Sequence, residues 1–68
     1  MYVIEFAPDG EHYHATNKIK NCQKAWEKFM GDVEIRQQIA INPYARFRLL
    51  LDDKVLAELP IGGNYGAN

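Results

Sequence analysis

His12 and His14 stand two residues apart, so on a strand both imidazoles point the same way, as two ligands of a zinc site would. Such a site needs a third and a fourth ligand, and Cys22 or Glu5 would have to supply them. Cys22 falls within an apolar stripe, and Glu5 falls opposite a histidine on a neighbouring strand. The spacing therefore reads as two solvent-facing histidines, one paired with Glu5, and neither metal nor cofactor is expected. Cys22 beside a histidine would also suit nucleophilic catalysis. Its place in the stripe marks it instead as a small core residue, because free cysteine is among the most buried residue types. No Ser-His-Asp arrangement can be assembled, and Gly62-Gly63 is not at the strand-to-helix junction that a phosphate-binding loop requires. No enzyme is expected.

Two further groups could bind rather than react. Tyr44, Arg46 and Arg48 alternate along one strand face, where an aromatic ring and two guanidiniums could stack on bases and neutralise phosphates. Lys20, Lys24 and Lys28 form a second positive line on a helix, expected on the opposite side of the molecule. Helix, glycine turn, helix and hairpin together resemble the end of a winged helix-turn-helix, with one helix missing. The other group is Leu50 and Leu56, surplus to the hairpin's core set and rimmed by Tyr44, Arg46, Arg48 and Glu58. Contiguous apolar patches with a polar rim mark partner surfaces.

The elements that must position these residues follow from periodicity. Tyr2, Ile4 and Phe6 alternate with Val3, Glu5 and Ala7, which predicts a strand. Pro8-Asp9-Gly10 predicts a turn and Glu11 to Thr16 the returning strand. Turn chemistry would set Phe6 opposite His12. Apolar patterning favours Phe6 opposite Tyr13, Ile4 opposite Ala15 and Glu5 opposite His14, and burial usually decides register. Asn17 or Asn21 can cap the following helix. Cys22, Ala25, Trp26, Phe29, Met30 and Val33 follow at three-and-four spacing. Gly31 interrupts this stripe, Asp32 can cap again, and Ile35 and Ile39 resume at a new angle, so a second short helix is predicted to end before Asn42-Pro43.

The last hairpin is the most constrained. With Asp52-Asp53-Lys54 as its loop, Leu51 faces Val55, Leu49 faces Ala57 and Phe47 faces Leu59. The same register sets Arg48 opposite Glu58 and Leu50 opposite Leu56, so core, ion pair and apolar pair are satisfied together. The expected architecture is α+β, a small ββα(α)ββ domain. Its four-stranded, mostly antiparallel sheet has the helix packed on one face and the other face open. A single domain is assigned to 1–61, and 62–68 to a flexible Gly/Asn-rich tail.

Composition agrees with one small globular domain. The chain has 68 residues, 47% hydrophobic and 25% charged, with a net charge of −1 from eight basic and nine acidic side chains. That balance argues against a nucleic-acid binder working by bulk attraction. A domain of this size buries only about 60% of its unfolded surface, so packing must be efficient. Its one cysteine allows no internal disulfide, and no apolar run approaches a membrane span. A cytoplasmic protein with no membrane partner is expected.

The expected function is a non-enzymatic protein–protein interaction module. It would bind another protein, or a second copy of itself as a homodimer, through Tyr44, Arg46, Arg48, Leu50, Leu56 and Glu58. In size and layout it resembles the small inhibitors that phages encode against host defence complexes, anti-CRISPR proteins included. That resemblance of general plan implies a partner within such a complex. The alternative is a small nucleic-acid-binding protein using Tyr44, Arg46, Arg48 and the helix lysines Lys20, Lys24 and Lys28.

Overall fold

Alternation at the N-terminus and in the last third of the chain builds one sheet, and the stripe between them covers it. The computed structural model describes residues 1–60, so the tail assigned to 62–68, like Ile61, lies outside the described residues. The elements are β1 (Tyr2–Ala7), β2 (His14–Ile19), α1 (Cys22–Gly31), α2 (Val33–Ile41), β3 (Arg46–Leu51) and β4 (Lys54–Leu59). All three strand pairings are antiparallel and the spatial order is β2-β1-β3-β4, an open α+β sheet with β2 and β4 at its edges.

The core lies between the helices and one sheet face. Ile4, Phe47 and Leu49 from the sheet meet Ala25 and Phe29 from α1, with Trp26, Ile35 and Ile39 packed around them. Phe29 stacks on Phe47 with ring centroids 4.7 Å apart and planes 19° from parallel. The expected helix break is present. Asn21, not Asn17, caps α1 by accepting the Lys24 N–H at 2.9 Å, and Asp32 caps α2 by accepting the Ile35 N–H at 3.1 Å.

The stripe is shorter than its spacing suggested. Ala25 and Phe29 are buried and Trp26 is half-buried, but Cys22, Met30 and Val33 are exposed. Met30 and Val33 flank the break at Gly31 and Asp32, where the helix axis changes and the apolar phase is lost. Cys22, at the first position of α1, is not a core residue. The Cys22 side chain, ahead of burial, pushes the Tyr2 pKa up.

Neither expected register of the first hairpin forms. Phe6 faces His14 and Glu5 faces Ala15, and the pairing then slips so that Ile4 faces Asn17 and Tyr2 faces Ile19. The cause is local. The Asp9 carboxylate accepts the backbone N–H groups of Glu11 at 2.9 Å and His12 at 2.8 Å, holding a wide loop that rejoins the sheet only at His14. Thr16 then takes up the offset as an extra residue, its Oγ1 donating to the Ile4 carbonyl at 3.3 Å. Ile19, not Tyr13, therefore joins the apolar side.

In the second hairpin the outer pairs stand as expected: Phe47 faces Leu59, Arg48 faces Glu58 and Leu49 faces Ala57. The three-residue loop does not form. Asp52 and Asp53 both adopt left-handed backbone, with φ of 49° and 68°, and make a two-residue turn after which Lys54 pairs with Leu51. Leu56 becomes the extra residue of a bulge, so Leu50 faces Val55. Val55, expected in the core, is carried to the other face with Leu50.

Candidate functional site

Strand parity assigns the face away from the helices. Glu5, Arg48 and Glu58 form one row across β1, β3 and β4, and Val3, Leu50 and Val55 form the next. Arg46 extends the face opposite Ala7. Most of the expected open-face set is thus brought together, but its internal contacts differ.

Arg48 does not spend its charge on Glu58. Its Nε donates to Glu5 Oε1 at 2.7 Å, with the two side chains only 26% and 23% exposed. Its guanidinium carbon lies 3.6 Å from the centre of the Tyr13 ring. The Tyr13 hydroxyl in turn donates to Glu58 Oε2 at 3.3 Å. Burial, followed by the charge of Glu58, pushes the Tyr13 pKa up, against the lowering effect of Arg48. Four residues from the loop, β1, β3 and β4 thereby form one ring-and-charge cluster. Sequence reasoning missed Tyr13 by placing it on the core side. The available signal was the turn-forming capacity of Asp9, which lengthens the loop and frees Tyr13 to cross the sheet.

No protein-family model, curated protein or solved structure matches this chain.

The apolar pair also departs from expectation. Leu50 is only 7% exposed, whereas Val55 and Leu56 on edge strand β4 are 44% and 38% exposed. Within the hairpin the exposed apolar surface therefore lies along β4 and not across both strands, while Met30, Val33 and Ile41 are exposed on the helices. Tyr44, in the loop before β3, is 70% exposed, with its backbone N–H held by the Asn42 side chain at 3.0 Å. Arg46 is half-buried and donates from Nη1 to the Pro43 and Ala45 carbonyls at 3.0 and 2.9 Å.

The nucleic-acid set is split. Lys20, Lys24 and Lys28 are exposed in and just ahead of α1, on the side opposite the face that carries Arg46 and Arg48. The two histidines are separated as well. His12 sits in the loop with its Nδ1 on the Asp9 carboxylate, while His14 stands on β2 with its ring edge-on to Phe6. Glu5, the expected partner of His14, is held by Arg48. Among the described residues no three His, Cys, Asp or Glu side chains converge as metal ligands would, and no helix is long and apolar enough to cross a membrane.

Proposed function

We propose that this chain is a non-enzymatic protein-binding module whose contact surface is the β4 edge, with Val55 and Leu56 at its centre and the open sheet face beside it. The observation that carries this reading is the pairing of an edge strand, with no further strand beside it among the described residues, with two adjacent exposed aliphatic side chains. An edge strand presents unpaired backbone groups that another chain can extend, and flanking side chains supply selectivity. The row of half-buried Val3 and buried Leu50, and the cluster of Glu5, Arg48, Tyr13 and Glu58, lie beside that edge on the open face. A domain of 68 residues also leaves little room for a preorganised active site and its supporting shell. A reducing, cytoplasmic setting suits its single cysteine. The likeness in general plan to small phage-encoded inhibitors of host defence complexes fits a module of this kind.

The test is capture of partners by wild type and by Val55→Asp/Leu56→Asp, at low salt and at high salt. Apolar contacts should survive the salt and be lost in the variant. If the variant keeps its circular dichroism spectrum and still recovers the same proteins, the β4 reading is wrong. Self-association is read separately, as a wild-type mass by light scattering that rises with concentration and stays monomeric in the variant.

A further inference from the structure

We infer that the outer face of α2 pairs with the same face of a second copy of this chain, as an antiparallel helix pair about a two-fold axis through Gln37. The four most exposed large apolar side chains among the described residues are Ile41 at 76%, Tyr44 at 70%, Val33 at 62% and Met30 at 58%. All four fall in the one stretch that holds α2 and its flanks. Their positions are symmetric: Val33 and Ile41 lie four residues to either side of Gln37, and Met30 and Tyr44 lie seven. At 3.6 residues per turn, Gln37 stands directly opposite Ile35 and Ile39, which pack against the core. Val33, Gln37 and Ile41 therefore form the outward ridge of the helix, and all three are exposed. None of the nine residues of α2 is buried. Scattered exposed apolar residues are ordinary, but an aligned set leaves this helix with an uncovered apolar face.

The symmetry identifies the occupant. In a two-fold contact residue i meets j and j meets i. Val33 of each copy then meets Ile41 of the other, and the Met30 end of one helix lies at the Tyr44 end of its mate. Gln37 meets itself at the axis, where its amide both donates and accepts, so two copies satisfy each other. An unrelated apolar ridge would leave that amide covered and unpaired, which is unfavourable. The charges agree. Glu34 and Arg36 flank the ridge on opposite sides, and the two-fold brings Arg36 of one copy to the Glu34 side of the other. Neither has an ion pair among the described residues. The Arg36 Nη2 donates to the Met30 sulfur at 3.3 Å, and its buried Nε has no hydrogen-bond partner. A net charge of −1 per copy adds little repulsion. A membrane surface fits less well, because interfacial helices line their polar face with lysine and arginine, and α2 has Arg36 alone. A nine-residue helix is about 14 Å long, so the contact falls well short of the roughly 800 Å² per copy of a stable interface. The dimer is therefore weak, with a Kd on the order of 0.1–1 mM.

The experiment is sedimentation equilibrium of the whole protein from about 10 µM to about 2 mM, where the wild-type mass should rise from that of one copy toward that of two. Val33→Glu and Ile41→Lys each change an exposed position at the helix end whose dipole favours the new charge, so both should keep the wild-type circular dichroism spectrum. Each alone should self-associate at least tenfold more weakly, because the new charge meets an apolar side chain twice in every dimer. Mixed in equal amounts, the two variants should associate at least tenfold more tightly than either alone. The introduced carboxylate of one then meets the introduced ammonium of the other, and the second Val33–Ile41 contact stays intact. Val55→Asp/Leu56→Asp should self-associate like wild type through this face. A wild-type mass that stays at one copy throughout, or a mixture no tighter than its components, overturns the inference. Self-association through β4 gives the opposite pattern, lost in Val55→Asp/Leu56→Asp and kept in Ile41→Lys, and overturns it too.

Discussion

Tyr13 packs its ring against the Arg48 guanidinium, 3.6 Å from centroid to Cζ, and so ties the first loop to the middle of the sheet face. A partly desolvated cation–ring contact contributes about 1–2 kcal/mol. The hydroxyl adds only a long hydrogen bond to Glu58. Tyr13→Phe should therefore cost under about 0.5 kcal/mol and Tyr13→Ala about 1–2 kcal/mol, read from urea midpoints at constant slope. Equal losses in the two variants would mean that the ring contact is not what stabilises the loop.

Asp9 predicts a specific acid response. The His12 and Glu11 backbone N–H groups, together with the His12 ring, hold its carboxyl well below the usual carboxylate range. A depressed folded pKa means that the stabilisation is fully present above the unfolded value of about 4 and is lost as pH falls through the folded value. Between pH 6 and pH 2 the thermal midpoint of wild type should drop more steeply than that of Asp9→Asn, with the difference confined to the region below about pH 4. Parallel curves would refute the assignment.

The Asp52-Asp53 turn shows which parts of the fold were legible in the sequence. Strand and helix identities, the break at Gly31 and the outer hairpin pairs followed from periodicity and capping, because burial of Phe29, Phe47 and Leu49 enforces them. Local turn geometry did not. Two aspartates at positive φ lack the glycine that advertises a two-residue turn, and the resulting bulge moved Val55 to the open face and made Leu56 the unpaired residue. The candidate surface shifted to β4 for that one reason. In the first hairpin the same kind of error, a loop widened by an aspartate side chain, hid Tyr13. Asp53→Gly should relieve the left-handed strain and raise stability by about 0.5–1 kcal/mol, seen as a higher urea midpoint. A lower midpoint would show that Asp53 makes a compensating contact. Asp52 is the wrong position for this test, because it also lies 3.5 Å from the N-terminal ammonium.

Two glycines make opposite predictions for the same substitution. Gly10 has a φ of +80°, and a Cβ there would stand 2.4 Å from the Tyr44 carbonyl oxygen, a backbone atom that cannot swing away. Gly10→Ala must therefore displace the Pro8–Tyr13 loop from the 43–45 segment and loosen the Tyr13–Arg48 contact with it. A loss of about 2 kcal/mol or more is expected, from positive-φ strain and clash together. Gly31 closes α1 with nothing within 4 Å of the position a Cβ would occupy. Gly31→Ala should raise stability by about 0.5–1 kcal/mol, through helix propensity and a less flexible unfolded chain. Chemical denaturation of both variants, with the Tyr13 ring resonances followed by NMR, decides the point. If Gly10→Ala leaves those resonances and the midpoint unchanged, the loop is not seated on Tyr44 as described. If Gly31→Ala destabilises, the helix break depends on the glycine itself and not on the Asp32 cap.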